Sequence, residues 1–337
     1  MESMKAAVLY NPHDLRVVDV PKPAVDPRGV LIKVNTVGVC GTDLHTYKLG
    51  MFEEMCLPTA EGLLFGHEFA GEVAAIGADA EVRDIQVGDR VVGVAIGAYA
   101  EYCNVTPVVS SRPMVMKLPD EVSYEEAATI EPLVVSLVAT RRAALQQGER
   151  ALVIGAGMIG LGCVQVIHAL HPDCDVTVCD VSDRRLEMAR AFGASRTINA
   201  ARQDLVTTVK ELAGEKRVIY NATTSGNVDV VIECAGLPLT LNQALELARP
   251  MTGRLISVAL YEQSCEVDFN QVVAKNLTVT GTLGYTATDV EQAIRMIADG
   301  KVDRSPLITH RYALADAAAA FEAQLDTSGT LKAVIQP

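Results

Sequence analysis

Ala151-Leu152-Val153-Ile154-Gly155-Ala156-Gly157-Met158-Ile159-Gly160 is an aliphatic run that breaks on three glycines and passes into an uncharged stretch through 170. The length suits a buried strand over 151–154 and a buried helix over 158–170, not a membrane span. The spacing gives each glycine a task. Gly155 makes the tight turn, Gly157 lets a pyrophosphate approach the backbone, and Gly160 packs helix on strand. The helix opening at Met158 and Ile159 offers amide groups and the positive end of its dipole to the phosphates. Asp180 stands twenty residues past Gly160, at the end of the next strand. A carboxylate there accepts the ribose hydroxyls and repels a 2′-phosphate, so NAD is expected over NADP. Arg184 and Arg185 work in the other direction, and Asp180 also reads as an acid at a helix start before Ser182.

Outward from this motif the chain alternates. Strands are expected at 175–179, 228–232, 254–259 and 276–282, with helices at 182–192, 239–248 and 289–297. Such alternation predicts a parallel sheet covered on both faces. The first third reads differently, with β-branched runs at 6–10, 15–20, 30–39, 71–76 and 91–94 separated by Pro, Gly and Asp. A last strand is expected at 331–335. The polar stretch 217–227 reads as an extended surface loop. Two domains are therefore expected in an α/β chain. One is a β-rich domain over 1–140 and 286–337, and the other a doubly wound, dinucleotide-binding domain over 141–285.

Composition narrows the function classes. A net charge of −13 lacks the basic footprint that nucleic acid requires. The N-terminus lacks a signal-peptide pattern, so a soluble cytoplasmic protein with no membrane partner is expected. Eight cysteines stand without CxxC spacing, as free thiols in a reducing compartment would. The sequons at Asn104, Asn221 and Asn276 carry no meaning without secretion.

A second constellation joins Gly38-Val39-Cys40-Gly41-Thr42-Asp43-Leu44-His45 to Gly66-His67-Glu68. Thiolate, imidazole and carboxylate are zinc's ligand types, and a catalytic zinc keeps one position open. By themselves a lone cysteine is more often core packing and an isolated His-Glu more often a satisfied polar pair.

Val39-Cys40-Gly41-Thr42-Asp43 with Gly66-His67-Glu68 resembles the medium-chain zinc alcohol dehydrogenase superfamily. The match continues through Gly88-Asp89-Arg90-Val91-Val92, Ile130-Glu131-Pro132-Leu133, the glycine motif and Glu233-Cys234-Ala235-Gly236, over nearly the whole chain. Glu131-Pro132-Leu133 is similar to the polyol, threonine and vicinal-diol branches. The phrases Gly281-Thr282-Leu283-Gly284-Tyr285-Thr286 and Leu307-Ile308-Thr309 are most similar to the butanediol dehydrogenase branch. The resemblance implies a GroES-like catalytic domain beside a Rossmann domain, and an NAD(H)-dependent alcohol or polyol dehydrogenase. Cys40, His67 and Glu68 are implied as zinc ligands, with Glu131 a fourth, direct or through water. Asp43 is implied to orient the ligating imidazole. Thr42 would take the substrate proton and His45 pass it outward. Arg185 and Lys332 are implied near the adenosine ribose and the pyrophosphate, Lys332 being also readable as a solvated surface lysine. A glutamate in place of a cysteine makes the ligand set harder, which suits a chelating diol or polyol.

Two departures from the family stand out. The four-cysteine lobe that holds a structural zinc is missing after Val92, so one catalytic zinc and no structural zinc are expected. The insert at 51–63 is longer and partly apolar, expected near the cleft mouth, with Cys56 a packed or exposed thiol. A homo-dimer or homo-tetramer is expected, since relatives extend their sheet through the region 276–286. The competing readings are a threonine or sugar dehydrogenase of the superfamily, a zinc-independent enone or quinone reductase, and a non-catalytic dinucleotide-binding protein.

Overall fold

Strand-forming and helix-forming segments separate into two units in the computed structural model, which describes residues 2–107, 112–220, 223–326 and 328–337. One unit comprises the chain up to Glu131 with Val290–Pro337, and the other is Pro132–Asp289. The divide at Glu131 falls inside the helix Ile130–Ala143. Sequence alternation becomes visible only after residue 150, which is why the sequence boundary of 140/141 lies later. Pro132 does not break this helix, because amide groups in a first helical turn have no intrahelical acceptor to lose.

In Pro132–Asp289 six strands form one sheet. In chain order they are Arg150–Ile154, Asp175–Asp180, Arg196–Asn199, Val230–Glu233, Arg254–Ser257 and Thr278–Gly281, and their spatial order is 3-2-1-4-5-6. Every pairing is parallel. The central strands Arg150–Ile154 and Val230–Glu233 are covered on both faces, which explains their unbroken aliphatic character. This is the doubly wound Rossmann arrangement, with the reversal of strand order at the end of Arg150–Ile154, where ligands bind in such sheets.

The other unit is β-rich and GroES-like. Its larger sheet runs Ile308–Ala313, Lys332–Gln336, Val30–Gly38, Glu68–Ile76, Arg90–Gly93 and Val115–Lys117, with Tyr102–Val105 also paired to Val30–Gly38. A four-stranded sheet holds Ser3–Asn11 and Asp14–Pro21, together with Leu63–Leu64 and Leu57–Pro58. The last two come from the 51–63 insert, so part of that insert is sheet. The core packs Ile32, Val37, Phe65, Phe69, Tyr99 and Phe321.

One expectation is corrected outright. The polar stretch 217–227 is not simply an extended loop, since Glu215–Arg217 pairs antiparallel with Thr224–Gly226. Ser225 is buried, its Oγ 2.7 Å from the Glu246 carbonyl and 3.0 Å from that of Ala248. Lys275 Nζ donates to the same Oγ at 3.0 Å. Polar side chains here satisfy one another inside, which composition alone cannot signal. The sequon residue Asn221 lies outside the described residues. No helix among the described residues is long and apolar enough to cross a membrane.

Glu233 holds the loop that faces the glycine turn. It is fully buried, and its Oε1 accepts from the Ala235 and Gly236 amides and from Thr240 Oγ1, while Oε2 accepts from Tyr261. Glu233→Ala strands these donors and is expected to lower unfolding stability by about 2 kcal/mol or more. Glu233→Gln keeps a carbonyl acceptor and is expected to lose less. Urea titration of both variants checks the order.

Candidate functional site

The strand Arg150–Ile154 ends on Gly155, whose φ of +96° is the left-handed region that glycine tolerates. A Cβ on Gly160 would lie 1.8 Å from the Gly155 carbonyl oxygen, so only glycine permits the helix Met158–Leu170 to start there. A Cβ on Gly157 would meet nothing within 4 Å, leaving the helix start open to a phosphate. Met158 and Ile159 form the first turn, as expected. Asp180 ends the neighbouring strand, where Oδ2 accepts from the Ala156 amide at 2.7 Å and Oδ1 from the Ser182 amide at 2.9 Å. The carboxylate is thus tied to the glycine turn itself. Each oxygen keeps a lone pair for a ribose hydroxyl. Arg185 is half-buried in the helix Asp183–Ala191.

In the β-rich unit, Cys40 is the N-cap of the helix Gly41–Leu49. Asp43 sits at the third helical position, and its Oδ2 accepts from the Cys40 amide at 3.4 Å. This reciprocal cap fixes the thiol's place at the end of the strand Val30–Gly38. Thr42 and His45 lie three residues apart on the same helix and therefore share a face. The His45 ring meets that of Phe52 edge-on, centroids 6.4 Å apart. Cys56 packs against the core, and burial pushes its thiol up to about 11.

Gly38 pairs with Glu68 in antiparallel register, which brings the chain leaving Gly38 and the chain entering Glu68 to one edge. Among the described residues, one grouping of His, Cys, Asp and Glu side chains could hold a metal ion. It is Cys40, His67 and Glu68, whose ligand atoms all lie within 4.8 Å of one another. Glu131, half-buried at the start of its helix, is not in that group. His67 Nδ1 lies 3.4 Å from Asp43 Oδ1, which leaves Nε2 as the ring's free coordinating atom. Burial pulls the His67 imidazole down, but Asp43 and Cys40 outweigh it and hold it well above its usual range. Burial pushes the Cys40 thiol up, Glu68 adds to this, and His67 opposes it. Sulfur, nitrogen and oxygen donors in a shielded place, with the imidazole oriented from behind, fit a zinc ion.

Lys332, equally readable from sequence as a solvated surface lysine, is buried instead. It is 3% exposed, and its Nζ donates to Glu68 Oε2 at 2.5 Å and to the Val39 carbonyl at 2.8 Å. It opens a strand of buried residues, and the missed signal was a lysine at a core-facing position. The sequence reading also missed Tyr99, fully buried, whose hydroxyl donates to Asp43 Oδ2 at 2.6 Å. Burial and Asp43 hold that phenol well above its ordinary value, so it remains a donor. A tyrosine between alanines in a core is a sign that its hydroxyl has a partner. Arg304, also fully buried, donates from Nε to Thr129 Oγ1 at 3.2 Å, close in sequence to Glu131.

Comparison with known proteins follows the same division. The family described as zinc-binding dehydrogenase matches residues 159–299, and the alcohol dehydrogenase GroES-like domain matches residues 26–120. (R,R)-butanediol dehydrogenase of Bacillus subtilis (strain 168) is 30% identical, covering 99% of this chain and 100% of the relative. Sorbitol dehydrogenase of the same organism is 33% identical, over 100% and 98%. The solved structure of the Bacillus subtilis 2R,3R-butanediol dehydrogenase superposes with a TM-score of 0.83 at 30% identity, over 99% and 100%.

Removing the lysine tests the site's charge balance. Lys332→Met leaves Glu68 buried without its ammonium and is expected to destabilise the metal-free protein by about 3–5 kcal/mol. Added zinc is expected to restore more stability to this variant than to the wild type. Urea unfolding with and without zinc checks both statements.

Proposed function

The chain belongs to the zinc-binding dehydrogenase family, in its polyol and butanediol branch, and on that premise we propose that it oxidises a secondary alcohol, a vicinal diol or polyol, to the ketone with NAD. The carrying observation is the Cys40, His67 and Glu68 group within 4.8 Å, backed by Asp43. Zinc bound there supplies Lewis acidity toward an alcohol oxygen, and NAD supplies the hydride acceptor. Thr42 takes the hydroxyl proton, and His45, on the same helix face, passes it outward. Asp43 keeps the His67 tautomer. Glu131 is the fourth ligand of this reading, direct or through a water. One glutamate and one cysteine among the ligands favour an oxygen-rich, chelating substrate, in line with the names of the butanediol and sorbitol dehydrogenases above.

Gly155, Gly157 and Gly160 seat the pyrophosphate and Asp180 the adenosine ribose, with Arg185 nearby in the following helix. The eight free cysteines suit a cytoplasmic setting. The strand Thr278–Gly281 ends the parallel sheet, with Val279 and Leu283 exposed, and a second copy pairing along that edge makes the assembly a homo-dimer or a dimer of dimers.

An NADH-absorbance screen across vicinal diols, polyols, threonine and aldoses is expected to show turnover of diols or polyols first. Chelator and Cys40→Ser are both expected to abolish it. Undiminished turnover in Cys40→Ser would sink the reading. Asp180→Ser is expected to shift the ratio of NAD to NADP efficiency by about tenfold toward NADP, roughly 1.4 kcal/mol. An unchanged ratio would remove Asp180 from the ribose site.

A further inference from the structure

We propose that Tyr99 is a positioning residue for the metal centre, its hydroxyl holding the Asp43 carboxylate so that the carboxylate's other oxygen faces His67. This rests on the metal site proposed above. The two oxygens of Asp43 divide their work. Oδ1 lies 3.4 Å from His67 Nδ1, while Oδ2 takes the Tyr99 hydroxyl at 2.6 Å and the Cys40 amide at 3.4 Å. The Tyr99 hydroxyl is also 3.0 Å from the Gly38 carbonyl. It carries a single proton, and the shorter contact to an ionised acceptor takes it. Asp43 is 4% exposed, so no bulk water substitutes for that donor.

The same residue seats the other half of the site. The Tyr99 amide donates to the Phe65 carbonyl at 3.2 Å, and the amides of Gly97 and Ala98 donate to the Gly66 carbonyl at 3.0 and 3.1 Å. Gly66, with φ +96°, packs against the Tyr99 ring, and a Cβ there would come within 2.6 Å of it. His67 and Glu68 follow directly. The ring of Tyr99 therefore places the segment carrying two ligands, and its hydroxyl places the carboxylate that orients one of them. One contact reaches Gly66, the residue before His67, and the other reaches the His67 ring nitrogen through Asp43. Phe65 and Phe321 hold the Tyr99 ring, with centroids 5.1 and 5.2 Å away, so the hydroxyl has little freedom to turn elsewhere.

Tyr99→Phe keeps the ring and removes only the hydroxyl. Zinc affinity, measured by competition with a chromophoric chelator, is expected to fall about tenfold to a hundredfold. The melting temperature of the metal-free protein is expected to fall by a few degrees, as a buried carboxylate loses one donor, with the protein still folded. The visible spectrum of the cobalt-substituted variant is expected to shift as His67 loses its fixed orientation. In a double-mutant cycle with Asp43→Asn the two losses are expected not to add, because the hydroxyl acts through the carboxylate. Unchanged affinity and cobalt spectrum in Tyr99→Phe, fully additive losses, or a variant that yields no folded metal-free protein would each overturn the assignment. Failure of the wild type to bind one equivalent of zinc would instead overturn the metal site itself, and stoichiometry on the wild type separates the two.

Discussion

Two carboxylates and a thiol lie together in the β-rich unit, and the interior tolerates them only if positive charge is supplied. Glu68 is 1% exposed and Asp43 4%, with Cys40 beside both. A buried anion without a partner is far more costly than a paired one. Lys332 answers Glu68, and the imidazolium-favouring position of His67 answers Asp43 and Cys40. Everything else in the neighbourhood follows from where these charges must sit. A dication bound there would displace protons from the Cys40 thiol and the His67 ring and would be held by thiolate, imidazole and carboxylate at once.

Sheet register makes the arrangement possible. The strands Lys332–Gln336, Val30–Gly38 and Glu68–Ile76 are neighbours, with Val334 opposite Gly38 and Gly38 opposite Glu68. Lys332 must therefore reach past the middle strand to meet Glu68. Position 38 is glycine, and a Cβ there would stand 2.5 Å from Glu68 Oε2. The missing side chain is the space through which the ion pair closes. Beyond Gly38 the chain turns at once into the helix Gly41–Leu49, so thiol and carboxylate arrive on the same short connection.

Much of this was legible in residues alone, and the illegible part has a physical cause. The glycine motif carried its own context, because a buried strand, a tight turn and a buried helix each impose local composition. The helix 158–170 was read to its observed limits, and the alternation around it gave the parallel sheet. Cys40, His67 and Glu68 were readable only as ligand types, and resemblance supplied their grouping. The helix starting at Gly41 was hidden because its N-cap is a cysteine, whose capping partner Asp43 looked solely like a chemical residue. The hairpin within 215–226 was hidden because its polar side chains find partners distant in sequence, Lys275 and the carbonyls of Glu246 and Ala248. Lys332 and Tyr99 share that cause. Their partners lie 264 and 56 residues away, and no local pattern encodes such a pairing.

Glu68 has a double obligation that links folding to metal binding. In the metal-free protein its Oε2 is committed to Lys332, while a ligating role asks for electron density from the same carboxylate. The second oxygen can serve a metal while the first keeps its lysine, and an ammonium so close draws charge from the carboxylate and weakens it as a donor. The lysine thus lets the site fold before any metal arrives, at the expense of ligand strength afterwards. Lys332 donates to Glu68 and to the Val39 carbonyl, so of the three it is Glu68 whose charge it draws on. In the proposed metal site Cys40 and His67 would be the firmer donors and Glu68 the adjustable one. An adjustable donor would suit the proposed zinc site, since a catalytic zinc keeps one position open for substrate.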